Sequence, residues 1–156
     1  MPLHITAKVP STEKGYFQDT IAPQIDGDQV RLVGEVDDKT KEKFLAGAAA
    51  LLFPIDWPEP FGLVMIEAMA CGTPVIAFRS GSVPEVIDHG VTGFVVDDEV
   101  EATQAIGQLS KLDRLKVRAR FEERFTSRRM AAEYVPHYEA LTRAKPQPQV
   151  KARSFA

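Results

Sequence analysis

Two carboxylates, Glu59 and Glu67, stand eight positions apart around the apolar run Pro60-Phe-Gly-Leu-Val-Met-Ile66. An ionised carboxylate is an acceptor-only group, so a pair of them suits the vicinal hydroxyls of a sugar or ribose. Proline drives the residue before it towards extended geometry, so Trp57 before Pro58 and Glu59 before Pro60 form a rigid, non-helical approach. A helix then begins near Phe61 or Gly62. Leu63, Ile66, Met69 and Ala70 recur at helical spacing and are expected to face inward, and Cys71-Gly72 supplies the stop before Thr73-Pro74. Glu67 lies barely two turns into this helix, near the exposed amides and positive dipole end where a phosphate would also bind. Glycine at position 62 lets a ligand approach the backbone closely. The two acids read equally as ordinary helix-start carboxylates stabilised by the dipole.

Taken with Ala68-Met-Ala-Cys-Gly-Thr-Pro-Val-Ile-Ala77, the segment resembles the donor-site signature of family 4 (group 1) retaining glycosyltransferases. The resemblance implies a GT-B architecture whose C-terminal domain is Rossmann-like and holds a nucleotide-sugar, this chain being part of that domain. It implies that Glu67 accepts from the ribose hydroxyls, that Glu59 lies beside the transferred sugar as the catalytic candidate, and that the backbone of Phe61, Gly62, Leu63 and Val64 meets sugar and diphosphate. Val33 and Gly34, in Val33-Gly-Glu-Val36, lie where the family cradles the nucleobase; Gly34 also suits a tight turn. Arg79-Ser-Gly-Ser-Val-Pro-Glu85 resembles the glycine-rich element that closes over the donor sugar, with Gly81 retained and Ser82 replacing a second glycine. Ser82 and Glu85 also fit a capping box. Arg79 suits either a donor contact or a solvated position.

Strand-length apolar runs at Leu3 to Val9, Val30 to Val33, Ala50 to Phe53, Val75 to Phe78 and Gly93 to Val96 must position these groups. Helical patterns separate them at Thr12 to Pro23, Asp38 to Ala49, Gly62 to Ala70 and Val83 to Asp88, followed by Glu99 to Phe125 and Arg128 to Arg143. The fold class is therefore α/β, a Rossmann-like parallel sheet flanked by helices. In such sheets ligands bind beyond the carboxyl ends of the strands, which is where the loops Trp57 to Phe61 and Arg79 to Pro84 emerge.

At 156 residues, 44% hydrophobic and 26% charged, the chain has the composition of one soluble globular domain. Its net charge of −3 gives no reason to expect nucleic acid, and no apolar run approaches a membrane span. The single cysteine, Cys71, reads as a small packed side chain and agrees with a reducing, cytoplasmic setting. Asp26-Gly-Asp28 spells an acid-x-acid pattern, but its place before the strand at Val30 puts it at the opposite edge of the sheet and makes it a turn. Asp37-Asp38 and Asp97-Asp98 are expected to cap helices. His4, His89 and His137 have no metal spacing, and neither a metal nor a cofactor is expected, the nucleotide-sugar being a substrate.

Residues 1–143 are read as a partial nucleotide-sugar-binding domain and residues 144–156 as a disordered basic tail, with membrane contact weak and peripheral at most. Family members begin this domain with a Gly-Arg strand and a lysine-bearing helix that neutralise the diphosphate; Leu3 to Val9 resembles the next strand. A missing N-terminal half or self-association is accordingly expected to complete the fold, and the chain alone to be inactive. The leading function is transfer of a sugar, with retention, from a nucleotide-sugar to an unknown acceptor. The alternatives are a non-catalytic nucleotide-sugar-binding subunit or remnant, and another GT-B sugar enzyme such as a polysaccharide synthase or phosphorylase.

Overall fold

The structure, a computed structural model, describes residues 1–143. The basic tail expected at 144–156 lies outside the described residues. The chain falls into two compact units, Met1–Ala49 and the chain from Ala50 onward.

In the first unit β1 (Leu3–Ile5) pairs in parallel with β2 (Val30–Leu32), Leu3 standing opposite Val30. The first strand is shorter than the apolar run Leu3 to Val9. Between the strands the chain is helical but irregular. A 3-10 turn (Ser11–Glu13) leads into α1 (Lys14–Tyr16), a π-type segment (Phe17–Ile21) and a second 3-10 turn (Ala22–Gln24). Asp26 Oδ1 accepts from the amides of Asp28 (2.8 Å) and Val30 (2.9 Å). The acid-x-acid triplet is thus the turn into β2, and those amides hold the Asp26 carboxyl below its usual range. α2 (Asp38–Gly47) is capped by Asp37, which accepts from the Thr40 amide at 2.8 Å. Of this unit's described hydrophobic side chains only Leu45 is fully buried, and Leu3, Leu32 and Val33 are exposed.

The second unit carries a three-stranded parallel sheet in the order β3 (Leu51–Phe53), β4 (Val75–Phe78), β5 (Gly93–Val96), with Leu52, Ile76 and Phe94 in register. Both helical and strand periods are met here, and β4 and β5 are buried on both faces as parallel strands require, while Leu52 of the edge strand β3 is exposed. On one face Ile76, Phe94 and Val96 pack with Ala105 of α5 (Glu99–Ile106). Elsewhere α3 (Leu63–Ala70) and α4 (Val83–Val86) each follow a strand, and α6 (Arg114–Arg124) packs on α3 through the fully buried Val117. α7 (Ser127–Arg143) shows solvent an apolar row of Met130, Tyr134, Tyr138 and Leu141. No helix among the described residues is long and apolar enough to cross a membrane.

Two expectations are corrected. The pattern from Glu99 to Phe125 is not one helix: α5 ends at Ile106, a 3-10 turn covers Leu109–Lys111, and α6 restarts at Arg114. Asp113 is the cause, because it takes extended geometry and its side chain caps the Leu115 amide, while Leu109 and Leu112 reach back into the core. On α3 the buried set is Met65, Ala68 and Met69, whereas Leu63 is 65% exposed. The inward stripe is displaced from the expected one because the helix starts at Leu63 and leaves its first turn at the surface.

Truncating the fully buried Met69 to Ala should cost about 2–5 kcal/mol in urea unfolding, through lost transfer energy plus a residual cavity. The thin first unit should open long before the second. Native-state hydrogen exchange is expected to find the amides of Arg31 and Leu32 at least about a hundredfold less protected than those of Ile76 and Val95.

Candidate functional site

The site of the second unit is made by two loops at the carboxyl edge of its sheet. The first, 54–62, follows β3, and the second, 79–82, follows β4. Glu59 sits between two prolines, half-buried, and both of its carboxylate oxygens have donors. The Gly62 amide donates to Oε1 at 3.2 Å and the Trp57 indole Nε1 donates to Oε2 at 3.2 Å. Gly62 lies immediately before α3 with φ +73°, a left-handed conformation that only glycine takes without strain. The acid therefore braces the turn that starts the helix.

The second loop is fastened directly to the first. Ser80 Oγ donates to the Trp57 carbonyl at 2.6 Å, and the Ser82 amide donates to the Glu59 carbonyl at 2.9 Å. Between them Gly81 has φ +50°, and a Cβ there would overlap the Glu59 carbonyl oxygen and lie 2.5 Å from the Glu59 amide nitrogen. A side chain at 81 would force the loops apart.

The expected residues are thus partly united. Glu59, Phe61, Gly62, Gly81 and Ser82 are joined by these contacts and by the chain, with Phe61 and Leu63 exposed beside them. Val64 and Glu67 lie half-buried on α3, and the Glu67 carboxylate has interactions of its own. Arg79 turns instead to Asp97 at the end of β5, Nε to Oδ1 at 2.8 Å. Val33 and Gly34 belong to the first unit, where Gly34 makes its turn at φ +84°.

Ser82 is corrected as a helix cap. It already has helical dihedrals and its side chain caps nothing; its amide is spent on Glu59, so Glu85 has no amide there to reach back to. At 9% exposure its hydroxyl is buried without a partner. The Asp97-Asp98 pair does cap α5, Asp98 accepting from the Glu101 amide at 2.8 Å. No cluster of three or more metal-ligating side chains occurs among the described residues. Trp57 and Ser80 escaped the sequence reading as site residues. The hydroxyl of Ser80 reaches a carbonyl 23 residues away, and no local pattern announces such a bond.

Parallel strands with interlocked loops at their carboxyl edge define an α/β domain of the class that binds ligands beyond that edge. The chain belongs to the group 1 glycosyl transferases, whose family model matches residues 13–128. It is 37% identical over 125 residues to N-acetyl-alpha-D-glucosaminyl L-malate synthase of Bacillus anthracis, a match covering 74% of this chain and 32% of that protein. A human alpha-1,3/1,6-mannosyltransferase is 36% identical over 107 residues, covering 64% of this chain and 26% of the relative. Sucrose-phosphate synthase from Thermosynechococcus elongatus superposes with a TM-score of 0.74 at 27% identity, over 92% of this chain and 39% of that one. Anabaena Alr3699/HepE, solved with UDP and glucose, shares the fold with a TM-score of 0.71 at 22% identity, over 89% of this chain and 40% of that one. The fold is that of the GT-B glycosyltransferases, and the chain spans about a third or less of the length of these curated relatives, 32% and 26%.

Replacing Gly81 by Ala should lower the melting temperature by about 4 °C or more, because the added Cβ meets rigid backbone at a left-handed position. Replacing Ser80 by Ala should cost only about 1 kcal/mol, one hydrogen bond, in the same calorimetric scan.

Proposed function

We propose that this chain forms donor-binding structure of a retaining, metal-independent glycosyltransferase that moves a sugar from a nucleotide-sugar to an acceptor hydroxyl. The observation that carries the reading is the braced Glu59 carboxylate at the mouth of α3, walled by the Gly81 loop. In this reading Glu59 faces the transferred sugar, Glu67 accepts from the ribose hydroxyls, and the backbone from Phe61 to Val64 meets sugar and diphosphate. Val33 and Gly34 serve the base, and Gly81 and Ser82 close over the sugar. The buried, unpartnered Ser82 hydroxyl supports a ligand oxygen as its acceptor once the loop adjusts, since a buried hydroxyl without a partner is costly. Carboxylates suit this task because they accept from hydroxyls at fixed positions without spending a donor. Transfer further needs cations against the leaving diphosphate and a pocket that orients the acceptor. We assign those to protein structure that completes the β3 edge, supplied by further polypeptide or a second copy. A cytoplasmic setting fits a chain whose one cysteine is Cys71.

One observation favours a second reading, a nucleotide-sugar-binding subunit without turnover. Arg79, the cation nearest this edge in the sequence, is paired with Asp97 rather than offered to a diphosphate.

Calorimetry with UDP, GDP, ADP and their sugars tests both. Binding with sugar release supports the first reading, binding without turnover the second, and no binding by a folded chain rejects both. Where a donor binds, Glu67→Ala should weaken it by about 1–3 kcal/mol, the cost of leaving buried polar partners unsatisfied. Unchanged affinity would remove Glu67 from the site.

A further inference from the structure

Trp57 is the only tryptophan of the chain, and 58% of it is exposed although it stands beside the proposed donor acid. An indole so placed adds little to a core. Its polar edge is nonetheless fixed, because Nε1 donates to Glu59 Oε2 at 3.2 Å. The root of the side chain is fixed as well. The Trp57 carbonyl accepts from the Glu59 amide at 2.8 Å and from Ser80 Oγ at 2.6 Å, and Pro58 limits the backbone between the two residues.

Glu59 is a long side chain at a half-buried edge, with rotamers to lose before it can meet a ligand in one orientation. The Gly62 amide holds one of its oxygens and the indole holds the other. A carboxylate has about four acceptor positions, so two are occupied by these donors and two stay available to hydroxyl groups. We propose that Trp57 is a positioning residue, whose indole N–H sets the orientation of the Glu59 carboxylate before a sugar arrives. The effect is preorganisation: the acid meets its ligand already aligned, so less ordering is lost on binding. The inference rests on the donor-site reading for its purpose, but its physical content, an indole clamp on Glu59, is decided without a donor.

One tryptophan gives one indole N–H resonance in a proton–nitrogen correlation spectrum. In the ligand-free chain, Glu59→Ala should move that resonance to the position of a free indole, and an unmoved resonance overturns the clamp. Trp57→Phe keeps an aromatic ring but removes the donor. It should cost no more stability than any exposed hydrogen bond of these loops while weakening UDP-glucose about tenfold, and Trp57→His, which keeps a ring N–H, should recover part of the affinity. Trp57→Phe binding UDP-glucose as tightly as the native chain overturns the positioning role. Failure of the native chain itself to bind UDP-glucose counts against that donor, and the indole resonance still decides the clamp.

Discussion

The geometry of the site depends on how closely the Gly81 backbone lies against the backbone of Glu59. Neighbouring strands deliver the two loops there in register, Phe53 opposite Ala77, so the loops leave the sheet side by side. A slip of one residue in that register would exchange the faces of the strand and carry the loop after it to another height. Given the register, the absence of a side chain at 81 lets the Ser82 amide reach the Glu59 carbonyl and the Ser80 hydroxyl reach the Trp57 carbonyl. The acid is then held at its backbone by one loop and at its carboxylate by its own. What places Glu59 is backbone shape, and its charge contributes only after the backbone has set it.

Much of this was legible in the sequence, and the reasons are specific. Alternation of apolar runs with helical periods marked all five strands, because a buried parallel strand reads as a short run of Val, Ile, Leu and Phe between turn residues. Asp37 and Asp98 were legible as caps because a cap is a local event, an oxygen meeting an amide three residues on. Ser82 misled for the same reason. Its spacing to Glu85 is that of a capping box, but the amide that box needs is taken by a carbonyl 23 residues earlier in the chain. Asp113 was the opposite failure, a local cap hidden inside a long helical period. Trp57 and Ser80 stayed invisible because their roles exist only once two loops distant in sequence have met.

The two units differ in how they answer the entropy of ordering a chain. Fixing a residue costs on the order of 1–2 kcal/mol of backbone entropy, and apolar burial is the main term that offsets it. The second unit buries both faces of β4 and β5, with Val75, Ile76, Ala77, Phe94, Val95 and Val96 nearly inaccessible. The first buries Leu45 and leaves much of its paired strands in water. Hydrogen bonds between β1 and β2 do not make up the difference, because the open chain makes them with water and the net gain per bond is small. The candidate acid, Glu59, thus stands on the well-buried unit.

A row of arginines on α6 ties together the elements that follow the candidate acid. Arg118 donates to the Ala70 carbonyl at the end of α3, where the helix leaves carbonyls unpaired and its dipole favours a cation. Arg114 reaches the buried Thr73 hydroxyl at 2.8 Å, and Arg120 and Arg124 share Asp88 at 2.7 and 3.0 Å. Hydrogen bonding to Asp88 raises the Arg120 pKa above its ordinary value. Arg124 also lies 4.7 Å from the centre of the Phe125 ring, which meets Phe61 edge-on at 6.3 Å between centroids. A continuous set of contacts therefore runs from Asp88 through Arg124 and Phe125 to the residue between Pro60 and Gly62. Single exposed ion pairs contribute little, but these arginines bridge separate elements, and one of their partners is only 28% exposed. Lysine would not substitute at 124, since a point charge cannot grip Asp88, the carbonyls of Glu85 and Val86 and an aromatic face at once. The fold thus ties the Phe61 neighbourhood to Asp88 through a planar cation and an aromatic ring, and sets Glu59 itself against a bare glycine.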